Sequence, residues 1–263
     1  MYNFLRTSLV LMLMLAGKAP LEAATMLSLT PSSNNGSSAN RVRAQYNKDL
    51  GGLYQVSDFS NDTLIQPFSH FGQLYSLAGQ AQLELATLTQ QIALMSHTSA
   101  VIPAIKTAQR AQEKIINKHA GAVDKITDLA RSSLVAANSY QLMSAYELLD
   151  KETEIVQVKN RFNSPKKNGY RDINLLVRLP KSQMIVEIQL HLNRIDAIKN
   201  GPEHDSYAQI QIIEHNAKQE NRTISQIELF KIGQLKQESE ELYQVAWQQQ
   251  LMSEFKTSFK HIA

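Results

Sequence analysis

Three runs between Val156 and Leu192 alternate apolar and polar residues with a period of two, which commits this part of the chain to a sheet with one buried face. In the first, Val156, Val158 and Phe162 alternate with Gln157, Lys159 and Arg161. In the second, Ile173, Leu175, Val177 and Leu179 alternate with Asn174, Leu176 and Arg178. In the third, Val186, Ile188, Leu190 and Leu192 point away from Glu187, Gln189 and His191. The residues Leu179-Pro-Lys-Ser182 join the second and third runs as a hairpin, and all three runs then pool their polar faces. A solvated surface carries the same alternation, so the pattern alone defines a face rather than a site.

The period changes on either side of these runs. Leu74, Leu77, Ala81, Leu85, Leu88, Ile92 and Met95 recur at helical spacing. Pro103 suits the first turn of a second helix, on which Lys106, Arg110 and Lys114 share one face. Residues 126–135 read as a short mixed run with the period of a strand, and Ser139 to Leu149 as helix. Beyond Asn193 the chain returns to helix, with Thr223-Ile-Ser-Gln226 as a capping box before Ile227, Phe230, Ile232, Leu235, Leu242 and Val245. This order predicts an α+β domain: a mixed sheet of four or five strands, helices packed on its apolar face, and a long amphipathic C-terminal helix.

The N-terminal region is organised differently. Arg6 precedes the apolar run Leu9 to Ala16, and Ala23 and Ala24 follow, which reads as a cleavable signal over residues 1–24 that is too short to span about 30 Å of hydrocarbon. That reading puts the mature protein in the periplasm or outside the cell, with no membrane span; initiation at Met26 leaves it cytoplasmic. Residues 25–61, rich in Ser and Asn, read as a flexible linker, residues 62–222 as the folded domain with its N-terminal helices, and residues 223–263 as the C-terminal helix. The chain has no cysteine, which excludes disulfides, thiolate zinc sites and cysteine nucleophiles. Its 27 Lys and Arg against 24 Asp and Glu leave a net charge of +3, too small for a global attraction to nucleic acid, so any anion site must be local.

Phosphate-loop, dinucleotide-binding, H-E-x-x-H and G-x-S-x-G signatures are absent from the sequence. An ordered set of other motifs is present. Lys106, Arg110 and Lys114 come first, then Asp128 in Ile126-Thr-Asp-Leu129, then Pro165-Lys-Lys-Asn-Gly-Tyr-Arg171, then Glu187-Ile-Gln189, and last His204-Asp-Ser-Tyr207. In this order, over residues 105–207, the chain resembles the synthetase domain of the RelA/SpoT family of alarmone enzymes. Members of that family carry a K-x-x-x-S-x-x-x-K helix, an aspartate opening a strand, P-K-x-N-G-Y-R, an E-V-Q-I-R strand and H-x-x-Y.

The resemblance implies a nucleotidyltransferase-like synthetase fold and the transfer of pyrophosphate from ATP to the 3′-hydroxyl of a guanine or other nucleotide, a tRNA 3′ end included. It implies Asp128, Glu187 and Gln189 as the catalytic set, with Asp128 and Glu187 as Mg²⁺ ligands and Glu187 alternatively as base toward the acceptor hydroxyl. Lys106 and Lys114 would hold the ATP phosphates, Lys159, Lys167 and Arg171 would face the acceptor, and Tyr170 would stack on its base. Asn174, His191 and His204 complete the implied nucleotide pocket.

This chain departs from the family pattern at several of these places. Arg131 and Ser133 stand where a glycine and an arginine follow the aspartate, Asp172 replaces a serine, Asn174 a histidine, His191 the arginine of E-V-Q-I-R, and Ala104 an arginine. Three classes of function remain consistent with the sequence: an exported effector or toxin with pyrophosphokinase activity, a nucleotide-binding module without chemistry, and an envelope protein that keeps only the scaffold.

Overall fold

The computed structural model describes residues 48–61 and 64–260. The signal expected at 1–24 and the linker residues 25–47 lie outside the described residues. In chain order the elements are α1 (Leu50–Gln55), β1 (Phe59–Ser60), α2 (Phe71–Ser96), β2 (Ser99–Val101), α3 (Ala108–His119), a 3₁₀ turn (Val123–Lys125), β3 (Arg131–Ala136), α4 (Ser139–Glu152), β4 (Glu154–Asn160), β5 (Ile173–Arg178), β6 (Ile185–Leu192), α5 (Asn193–Lys199), α6 (Pro202–Gln219) and α7 (Gln226–Lys260).

The three alternating runs form β4, β5 and β6 as adjacent antiparallel strands, and β3 adds to β6 in parallel. The complete sheet has six strands in the order β1-β4-β5-β6-β3-β2, two more than the smaller expected number. Its edge strands β1 and β2 hold two and three residues, too short for any alternation to register. On the apolar face Leu134, Val158, Ile173, Leu175, Ile188 and Leu190 are fully buried, and α2 and α4 pack against that side of the sheet. Each such side chain contributes about 1.5–3 kcal/mol of burial, so the alternation of these runs is also the main source of their cohesion.

Two expected boundaries move. Residues 50–60, predicted within the linker, form α1 and β1, because Asp49 caps the helix by accepting a hydrogen bond from Gly52 N at 2.8 Å. The second helix begins at Ala108 and not near Pro103, since Thr107 is its cap and accepts from Arg110 N at 3.4 Å. Lys106 therefore stands in the segment before the helix, not on the helical face it was predicted to share with Arg110 and Lys114. At the C-terminus the capping box falls on Ser225 and Glu228, whose side chains each bond the other's backbone N–H, and α7 runs for 35 residues from Gln226. Among the described residues no helix is long and apolar enough to cross a membrane.

Candidate active site

Strand register stacks the polar side of the sheet in rows. Gln157, Leu176, Glu187 and Arg131 lie across β4, β5, β6 and β3, and Lys159, Asn174, Gln189 and Ser133 form the next row. Beyond them the ends of β4 and β5 bring Arg161 against Asp172, with His191 on the neighbouring strand. Side chains link the rows. Asn174 Nδ2 donates to Glu187 Oε1 at 2.6 Å, and Lys199 Nζ, delivered by α5, donates to Gln189 Oε1 at 2.8 Å.

The segment carrying Asp128 is held at both ends by glutamines. Gln66 Nε2 donates to Ile126 O and Ile185 O at 2.7 Å each, and its Oε1 accepts from Ile185 N at 3.0 Å. Gln82 on α2 donates to Pro103 O at 2.9 Å and Arg131 O at 3.0 Å, and accepts from Arg131 N at 3.0 Å. Both amides are buried and saturate backbone groups that no ladder reaches, which fixes the approach to β3 beside β6.

Between these clamps Asp128 Oδ2 receives Lys114 Nζ at 2.8 Å and Lys106 Nζ at 3.2 Å. Burial raises the Asp128 pKa, but the hydrogen bond and charge of Lys114, joined by Lys106, outweigh it and hold the carboxyl below its ordinary value. Its second oxygen, Oδ1, is buried with no partner. A bare buried carboxylate oxygen suits a hard cation, and Glu187 follows on the next strand, its backbone N donating to Ala130 O at 3.3 Å. Among the described residues no three His, Asp or Glu side chains gather into a metal cage. A cation here would rest on these two carboxylates, water and ligand phosphates, as Mg²⁺ commonly does.

Tyr170 does not present its ring as a stacking platform, contrary to expectation. It is 5% exposed, with Lys166 Nζ 4.7 Å from the ring centroid and the rings of Tyr243 and His191 edge-on at 5.7 and 5.8 Å. Its hydroxyl donates to Asp172 Oδ2 at 2.7 Å and meets His191 Nε2 at 2.6 Å, while Arg161 binds the other Asp172 oxygen at 2.6 Å. Burial, then Lys199, Arg161 and Lys166, drive the His191 pKa well below its ordinary value, so the imidazole is neutral. Burial also raises the Asp172 pKa, and His191 Nδ1 is buried without a hydrogen-bond partner, 3.7 Å from Asp196 Oδ1. Breaking this network would strand buried polar groups at about 1–3 kcal/mol each.

The remaining expected residues divide. Lys159 is exposed in its row and free to meet an anion, and Asn174 is committed to Glu187. His191 is fully buried, which removes it from direct ligand contact. Arg171 leaves the site: its guanidinium lies 5.0 Å from the Trp247 ring and donates to Gly169 O at 2.8 Å. Lys167 lines a groove of about 1360 Å³ with Lys166, Tyr207, Lys236 and Glu240, between its loop and helices α6 and α7. His204 is exposed in the first turn of α6, and none of its hydrogen bonds reaches the sheet face.

Sequence reasoning missed Arg131, Lys166 and Lys199. Arg131 opposes Glu187 in register, and burial lowers the pKa of Lys166 and Lys199, partly offset by Asp172, Glu187 and other acids around them. Arg131 falls in a run read as strand, but nothing in the sequence sets its register against Glu187, and Lys199 carries no signal because only the turn into α5 returns it to Gln189.

Residues 104–227 match the family profile described as the region found in RelA / SpoT proteins. Among solved structures, the small alarmone synthetase 1 from Bacillus subtilis aligns with a TM-score of 0.51 at 17% identity, covering 73% of this chain and 98% of that one. The same enzyme bound to its product pppGpp aligns at 0.51 with 18% identity over 72% and 97% of the two chains. A GTP pyrophosphokinase family protein from Streptococcus pneumoniae aligns at 0.51 with 16% identity over 73% and 95%. At these identities the likeness establishes a shared fold. No curated protein matches the sequence.

Proposed function

We propose, on the premise that this chain carries a RelA/SpoT region over residues 104–227, that it is a pyrophosphokinase-type transferase which moves the pyrophosphoryl group of ATP to a nucleotide 3′-hydroxyl. The observation that carries this reading is the caged carboxylate: Asp128, clamped by two glutamines, gripped by Lys106 and Lys114 on one oxygen and bare on the other, beside Glu187 on the adjoining strand. Phosphoryl-type transfer asks a protein for placed charge more than for covalent chemistry, and this face supplies it.

In the proposed reaction the acceptor 3′-oxygen bonds to the β-phosphorus of ATP, the bond from that phosphorus to the α-phosphate oxygen breaks, AMP leaves, and the hydroxyl proton passes to Glu187 or to water. Lys106 and Lys114 bind the phosphates of ATP and draw charge from the group in flight. Asn174 fixes the Glu187 carboxylate through one oxygen and leaves the other for the proton. Lys159 and Lys199 face the acceptor side of the same rows. Mg²⁺, held by Asp128 with water and ligand phosphates, and by Glu187 where water and not Glu187 takes the proton, would neutralise the phosphates and align them.

The test is product identification: the full chain, Mg²⁺, ATP labelled in its terminal phosphates, and GDP, GTP, ADP and tRNA as separate acceptors. Label is expected on an acceptor 3′ position with AMP as co-product. ATP consumption that yields only free phosphate or pyrophosphate, or no consumption, contradicts the reading.

Nucleotide binding without turnover is the second reading, favoured by the buried state of Tyr170 and His191. It expects stabilisation of about 2.7 kcal/mol by a nucleotide at 100 times its Kd and no labelled product. Export through residues 1–24 is also part of the proposal, and fractionation of expressing cells tests it: mature chain starting after Ala24 outside the cytoplasm supports it, and an intact cytoplasmic N-terminus overturns it.

A further inference from the structure

We infer that Arg131 and Lys199 form a phosphate-binding pair at the seam between β3 and β6, and that the pair grips the phosphate chain of a bound nucleotide. The inference deepens the reading above and rests on it for calling that ligand a nucleotide.

Burial alternates along β3, so Arg131 and Ser133 lie on the polar face of the sheet while Ser132 is buried on the other. In register Arg131 stands beside Glu187, and Ser133 beside Gln189. Glu187 would be the natural partner of the guanidinium, but its Oε1 accepts from Asn174 on β5, the neighbour on the far side of β6. Among the described residues no ion pair or hydrogen bond engages the Arg131 side chain, and its Nε is buried with no partner. A guanidinium carries five donors, and a buried donor left unmet destabilises the fold.

Lys199 reaches the same seam from α5, where its Nζ donates to Gln189 Oε1 at 2.8 Å. Burial lowers the Lys199 pKa, Asp196, Asp172 and Glu187 pull it back, and the Arg131 charge lowers it again, so the two cations stand within electrostatic reach of one another. Like charges brought together without an ion-pair partner repel, and an anion between them removes the repulsion. Gln189 Nε2 and Ser133 Oγ, in the adjoining row, also make no hydrogen bond among the described residues. The seam therefore holds two cations, an amide donor and a hydroxyl, and no acceptor. A phosphate chain fits that set, since the planar fork of an arginine meets two oxygens at once and an ammonium adds a point charge.

Position supports the same ligand. Asp128, with Lys106 and Lys114, lies on the segment that enters β3 just before Arg131, so phosphates held there extend along the seam. Ser133 and His191 stand where the pattern this chain resembles has arginines, and His191 is fully buried. Arg131 and Lys199 return two positive charges to the rows that lost them.

The test is calorimetric titration of the full chain, Arg131→Gln and Lys199→Gln with inorganic pyrophosphate, α,β-methylene-ATP and GDP, each with Mg²⁺. The parent is expected to bind pyrophosphate, and each variant to bind it about 10-fold or more weakly. Weakening of α,β-methylene-ATP alone assigns the pair to the phosphates of ATP, weakening of GDP alone to those of the acceptor, and weakening of both to a shared grip. Parental affinity for all three ligands in either variant, or no binding of any by the parent, overturns the inference. Thermal unfolding without ligand exposes a merely structural role. Gln82 holds Arg131 through its backbone alone, so Arg131→Gln is expected to unfold at or above the parental temperature, and unfolding well below it overturns the inference. Labelled transfer, measured separately, reads the enzymatic proposal: affinity lost in both variants with no transfer by the parent contradicts that proposal and leaves the phosphate pair standing, and transfer by the parent with parental affinities in the variants does the reverse.

Discussion

At the scale of single residues, Tyr170 carries the most information because its sequence context and its position disagree. N-G-Y-R invites a ring laid on a base, yet sequence order says nothing about which way a side chain turns, and here two buried partners decide it. The neutral His191 makes this measurable. Its folded pKa lies below the ordinary 6.5, so below that pH the unfolded chain binds a proton that the folded chain refuses, and stability falls as the pH drops. His119, also lowered by burial and by Lys114, acts in the same direction, whereas Asp128, held below 3.8, withdraws its contribution only at more acid pH. Thermal stability is expected to fall between about pH 7 and pH 5, opposed in part by Asp172, whose pKa burial raises, with the slope reduced in His191→Gln. An equal slope in that variant would place the proton elsewhere.

Gly169 is a second decision made by one residue. Its φ is +80°, and a Cβ there would stand 3.3 Å from the Tyr243 Cβ. Gly169→Ala is expected to cost about 1–2 kcal/mol in denaturant unfolding, from the left-handed backbone and the crowding of α7. An unchanged midpoint would mean the loop relaxes freely.

At the scale of elements, what could be read from sequence depended on length. The runs that became β4, β5 and β6 hold six to eight residues each and repeat their period, whereas β1 and β2 are too short to do so. The start of α3 was misplaced because Pro103 and Thr107 are both acceptable openings, and only the geometry chose the threonine. The glutamine clamps were invisible, since Gln66 and Gln82 look like ordinary polar residues and their partners are backbone groups of distant segments. Gln82→Ala is expected to lose about 1–3 kcal/mol, as Arg131 N and O and Pro103 O lose their partner, and to slow transfer by loosening the Asp128 segment. Stability and rate would be followed together. A large loss of stability with a parental rate would separate the clamp from the site.

At the scale of the whole molecule, an α+β domain with a mixed sheet and a long C-terminal helix was legible, and so was the resemblance to the region found in RelA / SpoT proteins, because ordered motifs survive where single side chains have changed. The cationic ring around the site was legible only in part. Lys106, Lys114 and Lys159 were expected from the family resemblance, whereas Arg131, Lys166 and Lys199 arrive from elements that only the folded chain brings together. The most direct measurement is the initial rate of label transfer from ATP in the parent chain, Asp128→Asn and Glu187→Gln, each assayed below its own unfolding temperature. Transfer by the parent and a loss of about 100-fold or more in both variants is the expected result, since each removes charge placed for the transferring group. Parental rates in either variant, or no transfer by the parent, would contradict the assignment of this face as the catalytic site.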